Sequence, residues 1–174
     1  MIRTYIGLGS NLKNPKQQLQ AAIQALAALE HCRFITASGL YASQPMGPQD
    51  QPDYMNAVIA LETSLEAHQL LDCTQKIELD QGRVRKSERW GPRTLDLDLL
   101  LYGDQVINSE RLTIPHYGLE QREFVLIPLA EIAPELRLPG HQQKVSQLAA
   151  AIDPNGLVCI EDEAQWARPL LISD

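Results

Sequence analysis

Asp96 and Asp98 stand two positions apart in "TLDLDLLLYG", a run otherwise rich in leucine. On an extended strand, residues i and i+2 project from the same face, with Cα atoms about 7 Å apart at a rise of about 3.3 Å per residue. The two carboxylates are therefore expected to point together. Leu97, Leu99 and Leu101 are expected to point the other way, into a core. Carboxylates this close repel unless a cation sits between them. Hard oxygen donors favour Mg²⁺, which takes one or two carboxylates and completes its shell with water and substrate phosphates. A solvated strand face of alternating polarity would give the same pattern, so the pair alone does not specify chemistry.

The neighbouring residues narrow the choice. Arg83, Arg85, Lys86, Arg89 and Arg93 lie just upstream and lead straight into the aspartates. Guanidinium groups grip phosphate oxygens bidentately. Metal-binding carboxylates beside phosphate-binding arginines suit phosphoryl transfer, where catalysis is mainly positioning and charge neutralisation. Trp90, Gly91 and Pro92 interrupt the basic run, and a large aromatic on a loop suggests a ring to pack against. No G-x-x-x-x-G-K-[ST] is present, which excludes the P-loop mode. "IPHYGLEQREF" adds His116, Tyr117 and Arg122, and a histidine beside phosphate can donate to an oxygen. Tyr54 and Phe124 have the shape to sandwich a flat heterocycle, and the Asn56 amide can read its polar edge. The same two aromatics would serve equally well in a core.

The elements that must position these residues can be read from spacing. "TYIGLGSN" reads as a strand entering a turn. "NPKQQLQAAIQALAAL" reads as a helix, with Asn14 able to cap it, Pro15 in its first turn, and Leu19, Ala22, Ile23, Leu26 and Leu29 as its buried stripe. "RFITASGLYAS" reads as one strand, and the proline-rich "QPMGPQDQPDY" as a stiffened loop. In "YMNAVIALET", Met55, Ala57, Ile59 and Leu61 share one face, and Asn56, Val58 and Ala60 the other. A second helix follows, with a stripe of Leu70, Cys73 or Thr74, and Ile77, before the basic loop and the aspartate strand. "FVLIPLAEIAPEL" fits a short helix, with Pro128 and Pro134 as breakers. The tail gives weak signals: a short helix near Val145–Ile152, a turn at "DPNG" and a strand-like "LVCI".

The order β-α-β-β-α-β is that of a ferredoxin-like α/β sandwich, an α+β fold. Its antiparallel sheet would carry helices on one face and a site built from loops on the other. One domain over residues 1–174 is expected, since that length supports a sizeable core. The net charge of -7 argues against broad binding to nucleic acid or anionic membranes. Three widely spaced cysteines without a CxxC pair argue against a zinc site or a disulfide framework, and a reduced cytoplasm is the expected location.

"GSN" near the start, "GPQDQPDYMNAV", "IELDQGRVRKSERWGPRTLDLDLLLYG" and "LTIPHY" together resemble the 6-hydroxymethyl-7,8-dihydropterin pyrophosphokinases of folate biosynthesis. The resemblance spans about residues 5–139 and leaves 140–174 unmatched. It implies transfer of the β,γ-pyrophosphoryl group of ATP to the pterin hydroxymethyl oxygen, with release of AMP. It further implies two Mg²⁺ ions held by Asp96 and Asp98, with Arg83 and Arg93 reaching the triphosphate as catalytic groups. Arg85 and Lys86 would help close the basic loop over ATP, and Trp90 would seal the site. Gln75 and Glu78, about one helical turn apart, would line the nucleotide side. Arg111, Thr113, His116, Tyr117 and Arg122 would complete it, with Leu99 contributing through its backbone. Tyr54 and Phe124 would stack on the pterin and Asn56 would read its pyrimidine edge, with backbone help from Ser43, Gln44 and Met46. A monomer is expected, with ATP and a hydroxymethyl pterin as its partners.

Two other readings use the same residues. A different Mg²⁺-dependent phosphotransferase or phosphohydrolase would employ the same aspartates and arginines. A single-strand RNA-binding module would employ the basic loop and Trp90. The length of the shared motif counts against the first, and the acidic balance with paired aspartates counts against the second.

Overall fold

The computed structural model describes residues 1–11, 14–43, 54–81 and 95–167. Strand β1 (Ile2–Ser10) leads to helix α1 (Pro15–Ala27), then β2 (Cys32–Ala37), β3 (Leu40–Ser43) and β4 (Tyr54–Thr63). Helix α2 (Ala67–Gln81) and strand β5 (Leu95–Tyr102) complete the expected succession. The sheet runs β5-β1-β4-β3-β8, with β2 also pairing to β4, and every pairing is antiparallel. The outermost member, β8 (Val158–Glu161), comes from the tail.

The amphipathic readings of the two main helices hold. Leu19, Ala22, Ile23 and Leu26 are buried on α1, and Leu70, Thr74 and Ile77 on α2, with Thr74 rather than Cys73 turned inward. Both helices press on one sheet face through Ile6, Leu8, Ala57, Ile59, Leu61, Leu95, Leu97 and Leu99. Asn14 precedes α1 in a left-handed conformation (φ 58°) and its side chain makes no capping hydrogen bond, so Pro15 is the sequence feature that starts the helix.

Three expectations need correction. The single strand read in "RFITASGLYAS" is two, broken at Ser38–Gly39, both pairing with β4. The Glu131 carboxylate accepts the Gly39 N–H at 3.1 Å, and Ser38 Oγ accepts the Val58 N–H at 3.0 Å, so the break is hydrogen-bonded rather than loose. A side chain at Gly39 would meet Cys159 Sγ at 2.6 Å, because β8 comes in close there.

Second, the other sheet face is not left to loops alone. Helix α3 (Glu123–Ile132) and helix α4 (Val145–Ala151) cover part of it, sharing a core with Tyr5, Val58, Ala60, Leu100 and Leu101. Pro128 is buried inside α3 rather than ending it. Val125, Leu126 and Leu129 around it are buried as well, so tertiary packing holds this helix despite the proline.

Third, Leu101 faces this second core. Ile6 pairs with Leu99 and Tyr5 with Leu101, so Leu100 is an extra residue in β5, a bulge. The extra residue reverses the alternation beyond it.

Between β5 and α3 the chain forms a two-strand ribbon, β6 (Ile107–Asn108) with β7 (Thr113–Ile114). The tail, only weakly patterned, is integral to the fold. Lys16 pairs with Glu161 at 2.8 Å. Helix α5 (Glu163–Trp166) sinks Trp166 to complete burial, and its indole N–H donates to the Ser38 carbonyl at 2.9 Å. No helix among the described residues is long and apolar enough to cross a membrane.

Replacing Trp166 by Ala empties a buried indole site and strands the Ser38 carbonyl. We expect a loss of about 3–5 kcal/mol, read as a lowered urea midpoint by circular dichroism. An unchanged midpoint would mean that the tail is an appendage.

Candidate active site

Asp96 and Asp98 owe their direction to their neighbours. Leu95, Leu97 and Leu99 are buried against α1 and α2, which turns both aspartates to the opposite face, half-buried. Across the ladder Asp96 pairs with Gly9 and Asp98 with Gly7. The adjoining strand therefore places no side chain beside either carboxylate. Gly9 is also constrained from its other side, since a Cβ there would lie 3.0 Å from Asn56 Oδ1. Asn56 pairs with Gly9 on β4, so Asp96, Gly9 and Asn56 form one row across three strands. At a strand spacing of about 4.8 Å, this row is about 10 Å long.

The row opens into a cavity of about 660 Å³. It is lined by Asp96, Asp98 and Arg122, by Tyr54, Asn56, Phe124 and Ser43, and by Gly7 and Gly9. Asn56 is nearly fully buried and donates from Nδ2 to Ser43 Oγ at 3.0 Å. That bond orients the amide, leaving Oδ1 and one N–H for a ligand edge.

The charges are strained in a telling direction. Burial, and next the Asp96 carboxylate, push the Asp98 carboxyl up to about 6, while Arg122 opposes the shift. A cation between the two would relieve both effects. Among the described residues no group of three or more histidine, cysteine, aspartate or glutamate side chains could hold a metal. Among the described residues the Asp96–Asp98 pair is the hard donor pair facing the cavity, and it suits a divalent ion that takes other ligands from phosphate and water.

His116 stands beside this pair. Its backbone N–H donates to the Leu100 carbonyl at 3.0 Å, pinning it to β5. Its Nδ1 accepts the Gly118 N–H at 3.1 Å, which puts the neutral ring's proton on Nε2, 3.9 Å from Asp98 Oδ2. Burial, then Arg122, lower its pKa, so the ring is a neutral donor near pH 7. The ring stacks on Tyr117 with centroids 4.6 Å apart. Arg122 lies over the far ring, 5.1 Å from its centroid, and donates to the Tyr117 hydroxyl at 3.2 Å.

The other residues expected on a nucleotide side do not line the cavity. Arg111 donates to Gln75 at 3.0 Å and pairs with Asp72 at 2.6 Å, forming a patch on α2. Glu78 accepts the Leu97 N–H at 2.7 Å, satisfying an amide on the outer edge of the sheet. Leu99 keeps its side chain in the core, as the alternation required, and Thr113 is exposed on β7. Arg83, Arg85, Lys86, Trp90, Arg93, Gln44 and Met46 lie outside the described residues.

The sequence reading missed part of the cavity wall. Gly7 and Gly9 were visible as an i, i+2 glycine pair in a strand, a sign of close approach. Glu123, Pro154, Asn155 and Leu157 also line it, and nothing in the sequence flagged them.

Residues 5–134 match the family model for 7,8-dihydro-6-hydroxymethylpterin-pyrophosphokinase. A Haemophilus influenzae protein named 2-amino-4-hydroxy-6-hydroxymethyldihydropteridine pyrophosphokinase is 57% identical over 142 residues, covering 82% of this chain and 88% of that one. A Pseudomonas aeruginosa protein of the same name is 53% identical over 148 residues, covering 85% of this chain and 91% of the relative. Among solved structures, an HPPK-DHPS in complex with substrates superposes with a TM-score of 0.68 at 11% identity. The Plasmodium falciparum HPPK-DHPS wild type gives 0.68 at 14%. These two cover 87% and 86% of this chain, which spans only 45% and 44% of their length. At such identity they establish the fold alone: an α+β antiparallel sheet with helices.

The Asp98 shift makes stability depend on pH in a defined sense. The folded carboxyl is raised to about 6 from 3.8, so between those values the folded chain holds more protons than the unfolded one. Cation-free stability from this group is present at low pH and is lost as pH rises through that window. Asp98→Asn should match the wild type near the lower value and exceed it in melting temperature above the upper one, in chelator. A difference that stays flat across the window would refute the assignment.

Proposed function

The chain belongs to the 7,8-dihydro-6-hydroxymethylpterin-pyrophosphokinase family, and from that premise we propose how its cavity serves the reaction. The enzyme transfers pyrophosphate from ATP to 6-hydroxymethyl-7,8-dihydropterin, releasing AMP, a step of folate biosynthesis. The hydroxymethyl oxygen bonds to the β-phosphorus as the bond from that phosphorus to the α,β-bridging oxygen breaks. The observation that carries the site reading is the joint presence, in one cavity, of two carboxylates, an arginine and an amide flanked by aromatics.

Asp96 and Asp98 would hold two Mg²⁺ ions, whose chemistry when bound is to neutralise and align the triphosphate oxygens. Arg122, held over Tyr117, faces the same carboxylates and would take a phosphate oxygen, as would neutral His116 through Nε2. Gln75, Glu78, Leu99, Arg111, Thr113 and Tyr117 would form the nucleotide side. Arg83, Arg85, Lys86, Trp90 and Arg93 would close over ATP, with Arg83 and Arg93 stabilising the charge that develops on transfer. Support for those five is the motif alone.

Tyr54 and Phe124 would sandwich the pterin ring while Asn56, oriented by Ser43, pairs with its donor and acceptor edge. Gln44 and Met46 would add backbone contacts. The row from Asn56 to Asp96 then sets the distance from ring recognition to phosphate chemistry. We assign residues 1–174 to one domain, cytoplasmic and monomeric, with these two small molecules as its partners.

Incubation with Mg²⁺, ATP and 6-hydroxymethyl-7,8-dihydropterin should yield AMP as the nucleotide product. ADP would mean single-phosphoryl transfer, and absence of pterin-dependent turnover would remove the reading. Asp98→Ala should lower kcat by roughly 100-fold or more, the scale for removing one group that stabilises transition-state charge. Its circular dichroism should be native, and near-full activity would dismiss the aspartate assignment.

A further inference from the structure

The first turn of α3 carries both Arg122, at its N-cap, and Phe124. Arg122 makes no side-chain capping bond. Instead the Glu123 carboxylate accepts the Phe124 N–H on Oε2 at 3.1 Å. Its other oxygen, Oε1, accepts from Asn155 Nδ2 at 2.6 Å. A carboxylate held at both oxygens is fixed in one rotamer, and so is the turn it satisfies.

Asn155 is itself held firmly. Asp153 Oδ1 accepts its N–H at 2.8 Å, and Leu157 N–H closes the turn on the Pro154 carbonyl at 2.9 Å. Asn155 and Gly156 are both left-handed, with φ of 49° and 79°, which asparagine and glycine adopt most readily. Pro154, Asn155 and Leu157 line the same cavity as Phe124. The match to the family model stops at residue 134, well before this turn.

We propose that the turn around Asn155 is a positioning element for the pterin. It grips Glu123, thereby fixes the Phe124 ring, and places Pro154 and Leu157 as an apolar wall beside it. The proposal rests on the reading of Tyr54, Asn56 and Phe124 as the pterin pocket. Its effect belongs to pterin affinity: the side chains concerned line the cavity beside Phe124.

The test uses the full chain and three variants chosen for backbone compatibility. Asn155→Gly keeps the left-handed conformation and deletes only the amide. Asn155→Asp also tolerates that conformation but sets a carboxylate against Glu123. Glu123→Gln added to Asn155→Asp restores a donor and an acceptor. We expect the pterin KM to rise about threefold for Asn155→Gly, the size of one partly exposed hydrogen bond. Asn155→Asp should raise it about tenfold, and the double variant should return it to within about twofold of wild type. ATP KM and kcat should stay unchanged in all three, whereas a general loss of fold would lower activity without this KM pattern or its rescue. Phe124→Ala separates the two levels. If it raises pterin KM while both Asn155 variants leave it unchanged, the positioning role is wrong and the pocket stands. If Phe124→Ala itself has no effect, the pocket reading falls, and this proposal with it.

Discussion

Two like charges held on one rigid strand face are the constraint around which this structure is arranged. Asp96 and Asp98 have no freedom to turn apart, because the leucines between and beside them are locked into the core beneath. The strand has little freedom to shift either. β1 pairs along its length, and Glu78 takes the outward Leu97 amide. Burial and then the Asp96 charge raise the Asp98 pKa, and Arg122 offsets only part of that rise. A folded chain that tolerates this is poised for positive charge to enter.

The sheet face that carries the aspartates does two jobs at once. Towards β5's far end and along the middle of β4 it is a core, closed by α3 and α4 over Leu100, Leu101, Val58 and Ala60. Towards Gly7, Gly9 and Asn56 it is bare, and there the cavity opens. α3 sits at the boundary, so its first turn contributes site residues while its later turns pack. Cavity and second core are therefore parts of one layer, and the helix that stabilises the fold also aims Arg122 and Phe124.

Much of this was legible in the sequence because it follows from periodicity. The direction of the aspartates, the two faces of β4 and the buried stripes of α1 and α2 are consequences of repeats of two and 3.6 residues. What escaped was non-periodic or long-range. One extra residue in β5 gives no compositional sign, since Leu99, Leu100 and Leu101 are identical, so the side chosen for Leu101 was wrong. Pro128 read as a breaker because local propensity ignores the packing that holds α3 together. In the tail the helix near Val145–Ile152 and the strand in "LVCI" are present as read, but their attachment to the sheet was not legible, because partners far away in sequence, such as Lys16 and Ser38, fix it. For the site, residue chemistry picked out Asp96, Asp98, Arg122, Tyr54, Asn56 and Phe124, which the fold does gather. Glu78 lies on α2, where its carboxylate accepts the Leu97 N–H, a long-range contact that spacing along the helix does not reveal.

The bulge at Leu100 has a consequence for how the chain tolerates changes in length. Before it, odd-numbered residues of β5 face α1 and α2. Beyond it, Tyr102 takes that side, and its hydroxyl bonds to the Leu65 carbonyl. The two ends of the strand are thus of opposite parity, and the extra leucine is the joint between them. Removing Leu100 would straighten the ladder and leave every other residue of β5 in its present layer, with Leu99 opposite Ile6, Leu101 opposite Tyr5 and Tyr102 opposite Thr4. Removing two of the three leucines would force a choice, since either the aspartates or Tyr102 would then turn to the wrong side. The leucine run is therefore one residue longer than strict alternation needs, and it tolerates the loss of that one residue but not of two.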